Sequence, residues 1–250
     1  MKHACALLSA FILALLLSAP VSAQFMDHTP QERVLLGVHG GMAFSWHQGS
    51  FTTGDAQFDC CTFSGGNGIG RVVGLRGVLP LSGRSFLRPG ISFEALNAEY
   101  PVEREAFPVL GSNDQVVLMT LEEELSIRLD VFSVEVLYAY RVVDPGMYVV
   151  AGPAWTTFMS QHQTQEETIV SPPQLVFADG GRSHLLIDSE IEGLSSFFSF
   201  RAGAGALFPI SAMFHANPEV LFILPLTDLQ SEGEWSVAGF EFSLGVLLVL

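Results

Sequence analysis

Eight ionisable residues stand out because each interrupts an apolar, alternating segment of the chain. They are Arg76, Arg88, Glu94, Glu135, Arg141, Arg201, Glu219 and Glu241. Four are cations and four are anions, and the parity that holds them also collects Ser, Gly and Asn. Charges held inside apolar surroundings do one of two things. They neutralise one another, because an unpaired buried charge costs several kcal/mol, or they line an ion path or a small-ligand site. We read them as a neutralising structural network.

Other residues offer less chemistry. His47, His162 and His184 fall in or beside polar segments, where an acid–His or Ser–His–acid site could be built. No spacing joins any of them to a nucleophile, and they read as isolated surface histidines. No phosphate-binding loop, HExxH pair or two-cysteine metal knuckle occurs. The sequence therefore assigns no catalytic residue, no metal and no cofactor. Cys60 and Cys61 lie together in FDCCTFSGGNG. Export favours disulfides, so the pair could form a vicinal ring, a bond to another chain or two free thiols.

The class of protein follows from the first residues. Lys2, the apolar run LLSAFILALLLSAPVSA and the small residues Val21-Ser22-Ala23 make a basic region, an apolar region and a cleavage site. Residues 1–23 read as a secretory signal peptide, cleaved near Ala23, with 24–32 a short N-terminal segment and 33–250 one all-β domain. Lys2 is the only lysine, so ten arginines face 26 acids in what remains. A basic face for nucleic acid is missing. Apolar residues nevertheless make up 49% of the chain, with a mean hydropathy of +0.39. After residue 23 no apolar run reaches the ~18 residues that a spanning helix needs. An apolar exported chain without such a helix points to the other structure a bilayer permits, a closed barrel.

Alternation supports that choice. WSVAGFEFSLGVLLVL sets Ala238, Phe240, Phe242, Leu244 and Val246 against Gly239, Glu241, Ser243 and Gly245. FFSFRAGAGALFP sets Phe198, Phe200, Ala202 and Phe208 against Ser199, Arg201 and Gly203. MFHANPEVLFILPL and FSVEVLYAYRV repeat the pattern, with Glu219 and Glu135 on the polar parity. VLLGVHGGMAFSWH, GRVVGLRGVLPL, FLRPGISFEAL and the less regular MYVVAGPAWTTFM complete eight strands. One oily face and one polar face is the signature of a strand between lipid and a barrel lumen.

The connections alternate too. Short turns are expected at Ser82-Gly83-Arg84, at Asp144-Pro145-Gly146 and around 209–212. Long polar loops are expected near 49–66, 100–124, 161–192 and 227–233. The fold expected is therefore an eight-stranded antiparallel up-and-down transmembrane β-barrel, with short periplasmic turns and long extracellular loops. Tyr138, Tyr140 and Tyr148 flank the Asp144 turn, where an interfacial aromatic girdle is expected. In QVVLMTLEEELSIRLDV the apolar parity switches near Val131, which implies a bulge or an extension above the bilayer. IVSPPQLVF and HLLID could pair as a small hairpin outside.

The segment VEVLYAYRV, a tight turn and MYVVAGPAW together resemble the central hairpin of the PorT-like and OmpA-like outer-membrane β-barrels. FLRPGISFEAL resembles their preceding strand. The resemblance extends over most of 33–250. It implies a bacterial outer-membrane barrel and a role as membrane scaffold or surface interaction protein, with the PorT-like resemblance suggesting a secretion accessory. Leu250 departs from the aromatic residue that usually ends such chains, and no peptidoglycan-binding domain is implied. The alternative function is a small-solute channel or ligand-binding barrel. The partners expected are outer-membrane lipid and a protein engaged through the extracellular loops. On this reading the mature protein should fractionate with outer membranes and run anomalously in unheated detergent gels. Recovery in the soluble periplasmic fraction would replace it with a soluble lipocalin-like barrel.

Overall fold

The computed structural model describes residues 33–52, 62–103, 106–110, 115–143, 146–230 and 235–250. The expected signal peptide, Cys60, Cys61, Asp144 and Pro145 lie outside them. Every regular element among the described residues is a strand. In chain order these are β1 (Leu35–Thr52), β2 (Thr62–Ser82), β3 (Ser85–Ala95), β4 (Ala98–Glu103), β5 (Phe107–Leu110) and β6 (Val116–Val143). They continue with β7 (Met147–Ser171), β8 (Ser183–Glu190), β9 (Phe197–Ala206), β10 (Phe208–Pro209), β11 (Phe214–Pro225) and β12 (Ser236–Val249).

Eight of these close a ring. β1 pairs with β2, β2 with β3, β3 with β6, β6 with β7, β7 with β9, β9 with β11 and β11 with β12. β12 then pairs with β1 from Leu35↔Val249 to Gln48↔Ser236. All the pairings are antiparallel, so the sheet is an up-and-down barrel with no open edge at membrane level, as a hydrocarbon surrounding requires. One end carries the tight connections, including Gly83 at φ 49°, where the left-handed backbone favours glycine.

Much of what reads as loop at the other end is strand. β1 and β2 run on through 49–52 and 62–66, and β6 and β7 form a tall hairpin. Along its upper part β4 pairs with β6, β5 caps the β6 tip, and β8 lies along β7. HLLID thus pairs with residues 164–167 of β7 rather than with IVSPPQLVF, which ends β7 and forms the connection to β8.

The outward face of the ring is apolar. Val38, Met42, Val73, Leu75, Phe93, Val136, Phe198, Phe222, Phe242 and Leu244 are all exposed large hydrophobic residues. On β6 the outward run from Phe132 to Val142 rises about 26 Å, at ~3.4 Å per residue and a tilt of roughly 40°. That height matches the ~25 Å apolar band of a transmembrane barrel.

Above Phe132 the pattern inverts without the strand turning over. Odd residues of β6 face inward from Leu121 to Arg141: Leu125, Ile127, Leu129, Val131, Ser133, Glu135, Leu137 and Ala139 are all buried. Below Phe132 the even, outward residues are apolar. From Asp130 up to Glu122 they are Asp130, Arg128, Ser126, Glu124 and Glu122. The apparent parity switch near Val131 is therefore a change of solvent, from lipid to water, while the face of each residue stays the same. A bulge lies at the same level, on β7, where Asp130↔Ser160 is followed by Val131↔Phe158.

Below the switch the oily side chains face out, and above it they form an inner core. That core joins Leu96, Tyr100, Leu125, Ile127, Leu129, Phe197, Leu229, Trp235 and Val237. Leu129→Ala should cost roughly 2–5 kcal/mol through the cavity it leaves. Glu124→Ala, on the wet face of the same segment, should stay within about 0.5 kcal/mol. Denaturant unfolding from lipid vesicles measures both, and equal costs would refute the inversion.

Candidate functional site: the charged layer of the lumen

Each of the eight ring strands sends a polar side chain to the middle of the lumen. β1 contributes His39, β2 Arg76, β3 both Arg88 and Glu94, and β6 Glu135. β7 contributes Tyr148, β9 Arg201, β11 Glu219 and β12 Glu241. All are at most 4% exposed. They converge because alternation sends every second side chain inward, and the closed ring leaves those side chains only one another.

Three arginines bind four glutamates into one connected network. Arg201 reaches Glu94 at 2.9 Å, Glu135 at 3.2 Å and Glu241 at 3.6 Å. Arg88 lies 2.7 Å from Glu135 and 3.2 Å from Glu219. Arg76 lies 3.0 Å from Glu219 and 3.7 Å from Glu241. Glu135, Glu219 and Glu241 each bridge two arginines, so the chain of contacts closes on itself around the lumen.

Neutral donors complete the layer. Tyr148 Oη donates to Glu219 at 2.7 Å and accepts from Asn217 Nδ2 at 2.7 Å. Arg76 donates to Asn217 Oδ1 at 3.1 Å and to Ser243 Oγ at 3.2 Å. Arg201 donates to Ser133 Oγ at 3.2 Å, and Ser92 donates to Glu94. Arg88 differs from the other two. Its nitrogens approach carboxylates closely but are not aligned for hydrogen bonds, so it is held by charge more than by direction.

Small residues make the space. A Cβ on Gly90 would lie 2.8 Å from Glu135 Oε1, and one on Gly205 would lie 2.4 Å from Tyr148 Oη. These glycines share the inward parity with the charges, and a larger side chain there would displace the network.

Apolar clusters close the layer on both sides. Toward the tight turns lie Leu35, Val78, Phe86, Leu137, Ala139, Val150, Leu207 and Leu247. Toward the tall hairpin lies the inner core already described. Between charge and core, a cavity lined by Ser45, Glu94, Thr156, Ser199 and Arg201 measures about 10 Å³, roughly the space of a single water.

Several sequence expectations change here. Arg141 is buried but lies near the tight-turn end, and no ion pair joins it to any of the four glutamates. Tyr148 is 2% exposed and faces the lumen, so it is no part of an interfacial girdle. Its even number on β7 is an inward position, whereas Tyr138 and Tyr140 on β6 face out. His47 is also buried, accepting from Trp235 Nε1 at 3.3 Å and packing edge-on against Tyr100. The inner core continues above the rim and covers it.

His162 is half-buried and His184 exposed, and both sit beside acids, His162 2.6 Å from Asp188 and His184 3.5 Å from Asp179. Among the described residues no cluster of three or more His, Cys, Asp or Glu could hold a metal. No described helix is long and apolar enough to cross a membrane.

No family model matches the chain, and no curated protein matches it. Solved structures do. Ail, the attachment invasion locus protein of Yersinia pestis, is 12% identical, with 88% of this chain and 99% of that one covered and a TM-score of 0.31. The N-terminal β-barrel domain of Pseudomonas aeruginosa OprF is 15% identical over 88% and 98%, with a TM-score of 0.32. The outer membrane protein AlkL, determined in DMPC bilayers, is 9% identical over 90% and 93%, with a TM-score of 0.40. The fold itself rests on the closed strand pairing.

Arg201 is the most connected group, so Arg201→Met should leave Glu94 without an arginine, take one of two partners from Glu135 and Glu241, and cost roughly 3–5 kcal/mol. Tyr148→Phe removes one donor to Glu219 and should cost about 1–3 kcal/mol. Midpoints of urea unfolding in vesicles measure both. A neutral Arg201→Met would mean that the layer is not held by these contacts.

Proposed function

We propose that this protein is a non-catalytic barrel of the bacterial outer membrane, exported after cleavage near Ala23. It acts as a closed membrane scaffold that holds a tall strand-built surface outside the cell. The carrying observation is the lumen, in which a cross-braced layer of arginine and glutamate lies between two apolar clusters. A conducting pore needs a continuous polar path, and here side chains fill the section of the barrel. This supports the scaffold reading over the channel or ligand-binding alternative.

On this reading the tight turns face the periplasm and the β6–β7 hairpin stands outside. The hairpin's outer face, with Glu122, Glu124, Glu166, Asp188 and Glu190, is polar and acidic. It suits contact with a partner better than contact with lipid. The secretion-accessory role implied by the PorT-like resemblance is the finer form of this proposal, and it rests on the short motifs of the β6–β7 hairpin. Non-catalysis is supported by the burial of His47 in the inner core. His162 and His184 sit beside single acids.

Planar-bilayer recording tests the closed lumen, with little steady conductance expected from the wild type. Arg201→Ala combined with Glu135→Ala should raise it by opening the layer. A large, stable wild-type conductance would overturn the plug. Tags test the orientation: one near Ser171 should be reachable on intact cells, and one at Asp144 should not. The reverse pattern would invert the two ends.

A further inference from the structure

Arginine is scarce here, and most of the described arginines are accounted for. Arg76, Arg88 and Arg201 serve the lumen, Arg141 is buried near the turns, and Arg182 donates to the carbonyls of Ile169 and Val170. Arg71 and Arg128 are different. Both are exposed, and neither makes an ion pair or a side-chain hydrogen bond with any described residue.

Their positions make this more than surface decoration. Arg71 lies on the outward stripe of β2 between Ile69 and Val73, which are 55% and 56% exposed. Its rung partner on β1 is Met42, also outward, and the next outward rungs up are Phe44 and then Trp46. Arg71 is therefore set about 14 Å along the strand below the level of Trp46, inside the lipid-facing belt.

On the other side, Val72 pairs with Glu94, so the next residue of β3 is Ala95, small and 7% exposed, and Ala95 in turn pairs with Asp130. Arg128 precedes Asp130 by two residues on β6, on the same outward face. Two strand spacings and two residues separate it from the Arg71 row, roughly 12 Å between backbones. That is within the combined reach of two arginine side chains.

A guanidinium in a lipid-facing stripe is costly unless it snorkels to the interface and meets an anion there. We infer that Arg71, assisted by Arg128, is a binding site for the phosphate of an anionic lipid headgroup in the leaflet on the hairpin side. Arg71 reaches up from the apolar belt and Arg128 reaches down from the wet segment, with only the small Ala95 on the strand between Arg71 and β6. Guanidinium and phosphate match in charge and in paired hydrogen-bond geometry. The site rests on the membrane reading above but asks a separate question: which lipid lies against this sector of the wall.

The test uses the full barrel in vesicles. Brominated phosphatidylcholine and brominated phosphatidylglycerol are compared as quenchers of Trp46 fluorescence, in a Trp155→Phe background because Trp155 also faces out. Quenching by brominated phosphatidylcholine reports that Trp46 sits in lipid, and its absence would overturn the membrane reading itself. Given that quenching, wild type should select phosphatidylglycerol. Arg71→Gln should lower that selectivity about fivefold, the scale of one arginine near an anionic surface. Arg71→Lys should keep most of it, and Arg128→Gln should lower it less than Arg71→Gln.

Arg84→Gln, in the β2–β3 turn at the opposite end of the barrel, should leave selectivity at Trp46 unchanged. Heat-modified gel mobility confirms that each variant is closed. Native mass spectrometry of phosphatidylglycerol retained from maltoside micelles repeats the comparison with Trp155 intact. A folded Arg71→Gln that retains wild-type selectivity by both measurements overturns the site.

Discussion

When eight strands close into a ring, the interior is only about as wide as the side chains that fill it. Any charge placed there must meet its counter-charge without help from bulk water. The rest of this molecule is arranged around that constraint. Seven charged groups from six strands fit only as a cross-braced set, in which Glu135, Glu219 and Glu241 each touch two guanidinium groups. Tyr148 and Asn217 supply the hydrogen bonds that charge alone leaves unmade. Gly90 and Gly205 leave the room, because a Cβ at either position would collide with a member of the set. Buried ion pairs of this kind add little stability compared with a well-packed apolar interior. Their main consequence is specificity, since a strand shifted by one residue would turn its charge into lipid and a phenylalanine into the lumen.

The same strands serve two solvents. Within the bilayer, oil lies outside, so Val134, Phe200 and Phe222 face out and charge is drawn inward. Above it, water lies outside, so Leu125, Ile127 and Leu129 face in and Glu122 and Glu124 face out. One continuous strand thus behaves as membrane protein for half its length and as soluble β-structure for the other half. Trp46 and Trp155 face out near the changeover, where amphipathic rings are favoured. Arg71 sits just inside that boundary, where a cation is expensive alone and useful beside an anionic headgroup.

Period-two alternation determined a great deal by itself. It was enough to find the eight ring strands, their lipid faces and the inward parity of Arg76, Arg88, Glu94, Glu135, Arg201, Glu219 and Glu241, because side chains of a strand must alternate whatever their partners are. It failed where a residue's meaning depends on what lies opposite. The tall hairpin read as loop because its outward face is polar and its inward face apolar, the reverse of the membrane pattern. Tyr148 read as interfacial and His47 as exposed because composition cannot say that another strand or core covers them. Which glutamate meets which arginine, why Arg141 stands apart and why Arg71 has no partner among the described residues were decided by ring closure and register, which bring together residues as far apart in sequence as Arg76 and Glu241. Those contacts depend on distance in space, and alternation along a single strand carries no information about it.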